Sequence, residues 1–273
     1  MTTVPLTKYT RWRLSVPGGS TGTWDATFRI RGAGGRSSYM APTQLAGCVG
    51  WFRADLGITL TGSNVSVWAD QSGKGNDATA PAGREPGYNV AGHQINGQPT
   101  LYFDPTGAAG TEKMLEMVPG SLSLSTVHAF VVHRRATATE TVVSRSGFWH
   151  IGQGSGERMP SAADGKVWDD FMASMTYDCG LPVMPLNVPN VYEVQATGTS
   201  WSSFLNGKAQ GFSATNAPLA YNPPQLGGNT LVVPNNFYYG DWAEVVFYNR
   251  ILTAGESALL VGYFNGRYGL GAK

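Results

Sequence analysis

The stretch SVWADQSGKGNDATA, residues 66–80, crowds an aspartate, a Ser-Gly-Lys-Gly run and an Asn-Asp pair behind Trp68. Its lysine and glycines suggest a phosphate loop, but such a loop requires the spacing G-x-x-x-x-G-K-[ST] between a strand and a helix. Here Gly75 follows Lys74, and no helical pattern comes after it. A phosphate-binding loop is therefore excluded.

In the same stretch Asp70, Asn76 and Asp77 supply carboxylate and amide oxygens, which are potential cation ligands. An EF-hand loop places its ligands at alternating positions and closes on a glutamate, and neither feature is present. We expect a turn instead, in which Asp70 and Asn76 accept hydrogen bonds from nearby backbone N–H groups. The glycines at 73 and 75 would take positive φ, and Trp68 would anchor the end of a strand in the core.

Short β-type runs separated by Gly, Pro and Asn recur along the chain and favour an antiparallel sandwich over alternating βα units. Asn206-Gly207 lies between two such runs and predicts a two-residue hairpin turn. Clear examples of the runs are RWRLSV, ATFRIR, VSVWAD, PTLYFD, HAFVVHR, ETVVSRS, VYEVQA and AEVVFYNR.

One helix is predicted near the end of the sequence. Thr253 and Glu256 have the spacing of a capping box, and Gly266 is a natural stop signal. Between them an apolar stripe is expected to face the core. The stripe consists of Leu259, Leu260, Tyr263 and Phe264.

The bulk composition excludes several classes of partner. Charged residues make up 14% of the chain and the formal net charge is +1, which gives no support to a nucleic-acid partner. No run approaches the roughly 18 apolar residues of a membrane helix, and the opening MTTVPLTKYTRWRLSV lacks the apolar segment of a secretory signal. We expect no membrane insertion and no ordinary secretory route. The chain has only two cysteines, Cys48 and Cys179, and they are far apart in sequence, which excludes a zinc site or a disulfide framework. We expect both to be buried free thiols, and a single disulfide between them is the alternative.

Several blocks together resemble a concanavalin A-like, laminin-G-type domain. They are LAGCVGWFRADLGITLTGSNVSVWADQSGKGNDATA, INGQPTLYFD, KMLEM, STVHAFVVHR and the closing YYGDWAEVVFYNRILTAGESALLVGYFNGRYGL. The resemblance implies an all-β fold: an antiparallel β-sandwich of the concanavalin A-like jelly-roll type with one short C-terminal helix. We assign residues 46–273 to this domain and residues 1–45 to a basic, strand-rich N-terminal arm.

The resemblance also bears on cofactors and context. Because laminin-G-type domains sometimes bind calcium, it implies Ca²⁺ at Asp70 or Asp77 as the one candidate cofactor. Such domains occur in bacterial extracellular proteins and in phage virion proteins. The arm is similar to short strand-rich segments of phage tail and appendage proteins, and the missing secretory signal agrees with assembly in the cytoplasm.

Catalysis is not indicated by the sequence. Glucanases on this fold use paired carboxylates on one strand face, and no such run occurs. Asp241 and Glu244 have the wrong parity for one face of a strand. His128 and His133 are separated by an odd number of residues in one run, so we expect them to face opposite sides. We expect no catalytic residues.

Two loop-rich stretches are candidate glycan sites, because aromatic faces with carboxylates suit a sugar. The alternative is that these rings are buried, as is common in sandwiches. The candidate glycan-binding residues are Trp149, Trp168, Asp169, Asp170, Tyr238 and Tyr239.

The arm carries two pairs of arginines, Arg11 with Arg13 and Arg29 with Arg31. The members of each pair are two residues apart, so in a strand they would lie on the same face. They predict either an assembly contact or solvated strand faces that guard against aggregation. The leading hypothesis is a non-enzymatic structural protein of a tailed-phage virion, a decoration, tail or appendage component. Its partners would be other virion proteins, copies of itself in a homo-oligomer, and cell-surface glycans.

The alternative is a carbohydrate-binding module of a bacterial surface or secreted protein. A glycoside hydrolase or lyase on the same fold is the third hypothesis. The corresponding locations are the virion, or the extracellular space and bacterial cell surface.

Overall fold

The computed structural model describes residues 40–106, 111–152, 158–229 and 236–271. The chain divides into two units, Met1–Ser37 and Ser38–Lys273. The four arginines of the predicted assembly contact, Arg11, Arg13, Arg29 and Arg31, lie outside the described residues. Residues 40–45, which the sequence placed in the arm, belong to the second unit, where Met40 and Ala41 pack against a hydrophobic cluster.

Antiparallel strands dominate the described residues, which also contain one α-helix and two short 3-10 turns, Pro42–Gln44 and Val143–Arg145. The strands are β1 (Cys48–Arg53), β2 (Ile58–Thr61), β3 (Asn64–Trp68), β4 (Ala78–Thr79), β5 (Gly87–Tyr88), β6 (Leu101–Phe103), β7 (Leu115–Met117), β8 (Val127–Arg135), β9 (Trp149–His150), β10 (Trp168–Asp169), β11 (Tyr177–Asp178), β12 (Asn190–Ala196), β13 (Trp201–Leu205), β14 (Lys208–Ser213), β15 (Gln225–Leu226), β16 (Gly228–Asn229), β17 (Asn236–Phe237) and β18 (Gly240–Tyr248). The helix is α1 (Ala254–Tyr268).

Fourteen strands form one continuous sheet, in the order β14-β13-β12-β8-β18-β6-β5-β3-β4-β7-β15-β9, with β1 paired to β18 and β2 to β3. The remaining strands form two small sheets, β10-β11 and β16-β17. Side chains from both halves of the long order, such as Val131 of β8 and Leu115 of β7, share one buried cluster. The sheet is therefore folded over on itself, and the predicted antiparallel β-sandwich is confirmed.

Alternate residues of β8 show how the layers are built. Ala129 and Val131 face the cluster between the two halves of the sheet. Phe130 and Val132 point the other way, into a second cluster that contains Phe264 of α1. The helix thus forms a third layer over one side of the sandwich. No helix in the described ranges is long and apolar enough to cross a membrane.

The hairpin between β13 and β14 has the predicted turn. Asn206 and Gly207 have φ values of 47° and 78°, which match a two-residue turn whose twist suits the flanking strands. The sequence pair alone was sufficient to place it.

The helix begins as predicted but ends later. The Thr253 side chain accepts from the Glu256 backbone, the Glu256 side chain returns to Thr253, and the C-cap is Gly269 rather than Gly266. Leu259, predicted to face the core, is 56% exposed. The buried residues of the helix are Leu260, Val261, Tyr263, Phe264 and Tyr268.

A β-bulge in β18 overturns the predicted parity of Asp241 and Glu244. Trp242 pairs with His133 and Glu244 with the adjacent Val132, which leaves Ala243 as an extra residue. Because of this insertion, both carboxylates lie on the helix side of the sheet: Asp241 contacts Arg134 and Glu244 contacts two tyrosines of α1.

Two smaller predictions are confirmed. Cys48 and Cys179 are buried free thiols. His128 and His133 face opposite sides of β8, the former toward Glu193 and the latter toward Tyr238.

Candidate functional site

The stretch 66–80 is a turn organised by one carboxylate. Asp70 Oδ1 accepts from the backbone N–H groups of Trp51 and Ser72, at 2.9 and 2.8 Å. Its Oδ2 accepts from Ser72 Oγ at 2.6 Å and from the Asn76 N–H at 3.1 Å. Trp68 is fully buried at the end of β3, as predicted.

Asn76 differs from the prediction. Its side-chain nitrogen donates to the Val49 carbonyl at 2.7 Å, which ties the turn to β1, instead of accepting from a local N–H group. Gly73 and Gly75 have φ values of 79° and 73°, as expected of turn glycines.

The two predicted calcium ligands do not fit a calcium ion. Asp70 is surrounded by four hydrogen-bond donors, and Asp77 Oδ1 accepts the Asp70 N–H at 2.8 Å. Calcium needs six to eight oxygen ligands gathered round one point, whereas both oxygens of Asp70 and one oxygen of Asp77 already accept from N–H and O–H groups. Within the ranges that the structure describes, no group of three acidic, histidine or cysteine side chains could hold a metal.

Four of the predicted glycan-binding residues are buried. Trp149, Asp169, Asp170 and Tyr238 are at most 1% exposed. A ring that stacks on a sugar must present a face to solvent, so these four do not fit that role. The physical reason is that the loops carrying them fold inward over the main cluster.

Asp169 is the polar centre of that buried region. It accepts from Tyr192 Oη at 2.6 Å, from the Phe171 N–H at 2.8 Å and from Trp149 Nε1 at 3.2 Å. Burial raises the pKa of Asp169 to about 7 against the opposing effect of the Tyr192 hydroxyl. This network holds β10 against the sandwich and has a structural role.

Trp168 remains at the surface. It is half-buried, its Nε1 donates to Asp164 at 3.1 Å, and Lys166 Nζ lies 5.7 Å from its ring centroid. Lys166 also pairs with Asp178 at 2.6 Å. One side of the ring is therefore occupied by a cation, which reduces the area that a sugar could cover.

Tyr239 belongs to a different aromatic surface, which we call the aromatic strip: His93, Tyr102 and Tyr239. The His93 and Tyr102 ring centroids are 3.8 Å apart, and those of Tyr102 and Tyr239 are 6.4 Å apart. The Arg145 guanidinium lies 5.5 Å from the Tyr239 ring. All three rings are partly exposed.

Adjacent strands align polar groups beside the strip. In register, Tyr102 of β6 faces Asp241 of β18, and Asp241 faces Arg134 of β8. Asp241 Oδ1 lies 2.8 Å from His93 Nδ1, and Oδ2 accepts from Arg134 Nε and Nη2 at 2.9 and 2.6 Å. The buried carboxylate thus orients an imidazole and a guanidinium at the surface.

Burial raises the pKa of Asp241, and the Arg134 and His93 contacts oppose that rise. Burial also raises the pKa of Tyr102, with Asp104 adding to the effect. Tyr102 therefore stays a neutral hydrogen-bond donor at physiological pH. Rings with hydroxyl, imidazole and guanidinium donors at their edges are the chemistry that recognises a polyol.

Sequence reasoning missed His93, Tyr102 and Arg134 in this surface. Tyr102 alternates between the buried Leu101 and Phe103, so its outward orientation was available from strand parity. The contact between His93 and Asp241 joins residues 148 positions apart, so no local sequence pattern indicates it.

A second surface feature is a groove of about 490 Å³, which we call the proline groove. Its acidic side chains are Asp77 and Glu116, and its apolar wall includes Pro81, Pro119 and Pro223. Glu116 Oε1 accepts from Gln225 Nε2 at 3.1 Å. With Asp77 also bonded to Asp70, each carboxylate is held by the protein.

Comparison with known proteins gives the fold. Neither a protein-family model nor a curated protein matches the sequence. Domain 4 of AbnA, a GH43 extracellular arabinanase from Geobacillus stearothermophilus solved in complex with arabinotriose, aligns at 14% identity and a TM-score of 0.51, over 78% of this chain and 98% of that one.

Two larger enzymes align over part of their length. An arabinofuranosidase complexed with arabinofuranosyl-alpha-1,2-xylobiose matches at 12% identity and a TM-score of 0.50, over 75% of this chain and 51% of that one. Trypanosoma rangeli sialidase matches at 15% identity and a TM-score of 0.47 over 80% of this chain, which spans only 32% of the sialidase. At these identities the alignments with AbnA domain 4 and with the arabinofuranosidase show the fold alone: the described unit is a β-sandwich of a kind that also occurs in these two proteins.

Proposed function

We propose that the chain is a carbohydrate-binding module whose sugar contacts are made by the aromatic strip together with Arg134. The observation that carries the proposal is the cross-strand row Tyr102–Asp241–Arg134, in which a buried carboxylate fixes donors beside partly exposed rings. The rings offer apolar faces to a sugar, and the guanidinium, imidazole and phenol groups offer hydrogen bonds to its hydroxyls.

The comparison with AbnA domain 4 supports this proposal. That domain was solved with arabinotriose bound, and this chain aligns with 98% of its length. A β-sandwich of matching extent therefore serves as a ligand-binding unit in at least one carbohydrate-active protein, and arabinotriose is the first probe to use.

We propose a non-enzymatic role. Glycoside hydrolysis requires one carboxyl to donate a proton and another to attack or activate water. Both oxygens of Asp241 are engaged by His93 and Arg134, so this carboxylate acts by positioning. The proline groove, with Asp77 and Glu116, is the place to look for the hydrolase alternative. Release of reducing sugar from arabinan or xylan by the wild type, abolished in Glu116→Gln, would establish that alternative.

A second candidate function is that of a tailed-phage virion component, a decoration, tail or appendage protein that displays the sandwich. It is supported by the arginine pairs of residues 1–45 and by the resemblance to concanavalin A-like jelly-roll domains of virion proteins. Its partners would be copies of itself in a homo-oligomer and other virion proteins, and its location the virion. The carbohydrate-binding module alone would place the protein outside the cell or on a bacterial surface.

The two candidates are separable by experiment. Mass spectrometry of purified particles would detect the chain as a virion component, and deletion of residues 1–39 should then abolish its incorporation. A chain absent from the particles would contradict the virion role and leave the glycan role standing.

The glycan site is tested by calorimetric titration with arabinotriose, after a glycan array has surveyed other sugars. Tyr102→Ala and Tyr239→Ala should each weaken binding about tenfold, equivalent to about 1.4 kcal/mol. Phe212→Ala is the matched control, because this aromatic side chain of β14 is 74% exposed and outside the strip. Loss of binding in Trp168→Ala alone would move the site to Trp168, and a wild type that binds no glycan would refute the function.

A further inference from the structure

A groove of about 360 Å³ lies between the outer face of the sheet and the first two turns of α1, and we call it the sheet–helix groove. Its floor is made by Glu193 and Gln195 of β12 and Phe204 of β13. Its walls are largely apolar. They are formed by Gly207, Ile251, Leu252, Ala254, Ser257, Ala258 and Val261. The volume lies in the range of ligand sites, about 300–1,000 Å³.

Glu193 is the unusual member of this lining, since it is only 7% exposed. Its Oε1 accepts from His128 Nε2 at 2.8 Å and from Gln195 Nε2 at 3.0 Å. Both hydrogen bonds end on Oε1. The carboxylate is thus held in place from one side, and its other oxygen, Oε2, is available to the groove.

The charge of Glu193 is not neutralised by His128. The backbone N–H of Leu252 donates to His128 Nδ1 at 3.1 Å, so Nδ1 is an acceptor and the ring proton resides on Nε2. The imidazole is therefore neutral. Among the described residues, no lysine or arginine lies within ion-pair distance of Glu193.

A buried carboxylate without a cation is costly, and proteins usually pair such a group. Glu256 at the amino end of α1 is already paired with Arg250 at 2.6 Å, so Glu193 is the acidic side chain of the groove lining that a cation would meet. The apolar walls suit a methylene chain, which can lie along them while its charged end reaches the carboxylate.

We propose that the sheet–helix groove binds a primary alkylammonium group, with the ammonium on Glu193 Oε2 and the aliphatic stem against Phe204 and Val261. A single exposed carboxylate oxygen suits the compact ammonium, whereas a guanidinium is matched by two parallel oxygens. The natural source of this group is a lysine side chain of another protein. This inference is independent of the proposed glycan site on the aromatic strip.

The test is an NMR titration of the full chain with Nα-acetyl-lysine-N-methylamide and with n-butylamine. Saturable shifts in residues of the groove are expected with both probes. The Nε-acetylated lysine derivative and n-butanol, which keep the stem and lose the charge, should bind at least about tenfold more weakly. Equal binding of the alcohol and the amine would overturn the proposal, as would the absence of saturable binding of either amine.

Variants locate the site. Glu193→Gln keeps the acceptor for His128 and should reduce amine affinity at least about tenfold. Ala258→Phe, at an exposed position of α1, should block the groove without altering the carboxylate. Glu116→Gln in the proline groove is the matched control and should bind as the wild type does. Unchanged amine binding in both groove variants would refute the assignment.

Glucosamine, whose amine is carried on a polar ring without a methylene stem, is a further control. Binding of the lysine derivative but not of glucosamine supports a lysine side chain as the occupant, and binding of glucosamine alone would overturn it. Arabinotriose titration of Glu193→Gln separates this inference from the glycan site: retained sugar binding with lost amine binding supports two independent sites. Loss of both in a folded variant would overturn their independence.

Discussion

Tyr268, the last residue of α1, donates its hydroxyl hydrogen to the buried Glu244 carboxylate of β18 at 2.7 Å. Glu244 also accepts from Trp51 Nε1 at 2.6 Å and from Tyr263 Oη at 2.8 Å. One carboxylate therefore joins β1, β18 and the helix. Burial raises its pKa, and the three donors act in the opposite direction.

Removal of one of these donors should loosen the helix. We expect Tyr268→Phe to lower the free energy of unfolding by about 2 kcal/mol, because a hydrogen bond to a buried charged group is lost. Leu259→Ala, on the exposed side of the same helix, should change it by less than about 0.5 kcal/mol. Urea denaturation followed by tryptophan fluorescence measures both, and equal effects would contradict the role of Glu244.

The cap of α1 predicts a pH dependence. Hydrogen bonds from Arg250 and from the Thr253 backbone lower the pKa of Glu256 from 4.5 to about 2. Since the folded value lies below the unfolded one, the stabilisation is complete above pH 4.5 and is lost as the pH falls toward 2.

Glu256→Gln should therefore be less stable than the wild type at pH 7, and the difference should vanish near pH 2. Denaturant unfolding of both proteins across this range checks the prediction. A difference that persists at low pH would show that the pair acts through something other than the charge of Glu256.

Asp70 should be important for stability but not for calcium binding. Asp70→Ala leaves four donors without their acceptor and should cost about 2–3 kcal/mol of unfolding free energy. Lys74→Ala, in the same turn, should be nearly neutral. The melting temperature should be the same in calcium, magnesium and EDTA, and a rise specific to calcium that Asp70→Ala abolishes would restore the metal site.

The burial of Trp149 predicts a contrast with Trp168. Trp149→Ala should cost about 3–5 kcal/mol, the usual effect of removing a buried ring. Trp168→Ala, at a half-buried position, should cost less than about 1 kcal/mol. Thermal and urea unfolding of the two variants decide the matter, and similar losses would mean that Trp168 is packed as tightly as Trp149.

The features predicted correctly from sequence are those made by neighbours in the chain. The bonds of Ser72 and Asn76 to Asp70, the Asn206-Gly207 hairpin and the Thr253 capping box each involve groups a few residues apart. Their chemistry is complete within the stretch that encodes them, so no knowledge of the remaining fold is required.

The errors arise where distant segments meet. Trp149 and Asp169 lie in Gly-rich stretches that resemble surface loops, yet Tyr192, 23 residues after Asp169, draws them into the core. The helix passes Gly266 because Tyr268 bonds to Glu244, 24 residues away. The groove carboxylate depends on a contact between Glu193 and His128 across 65 residues. No local sequence pattern indicates any of these three contacts.

Ala243 makes β18 a strand of two phases. Before it, Asp241 points outward and Trp242 inward; after it, the alternation restarts with Glu244 outward and Val245 inward. Because Trp242 and Glu244 already pair with the adjacent His133 and Val132, deletion of Ala243 would leave a regular ladder in which Asp241 still points outward. If Ala243 instead took the place opposite His133 while the second segment stayed in register, Asp241 would turn toward the interior and Trp242 away from it. The surface that presents Arg134 and His93 therefore depends on Ala243 standing outside the ladder as much as on its own side chains.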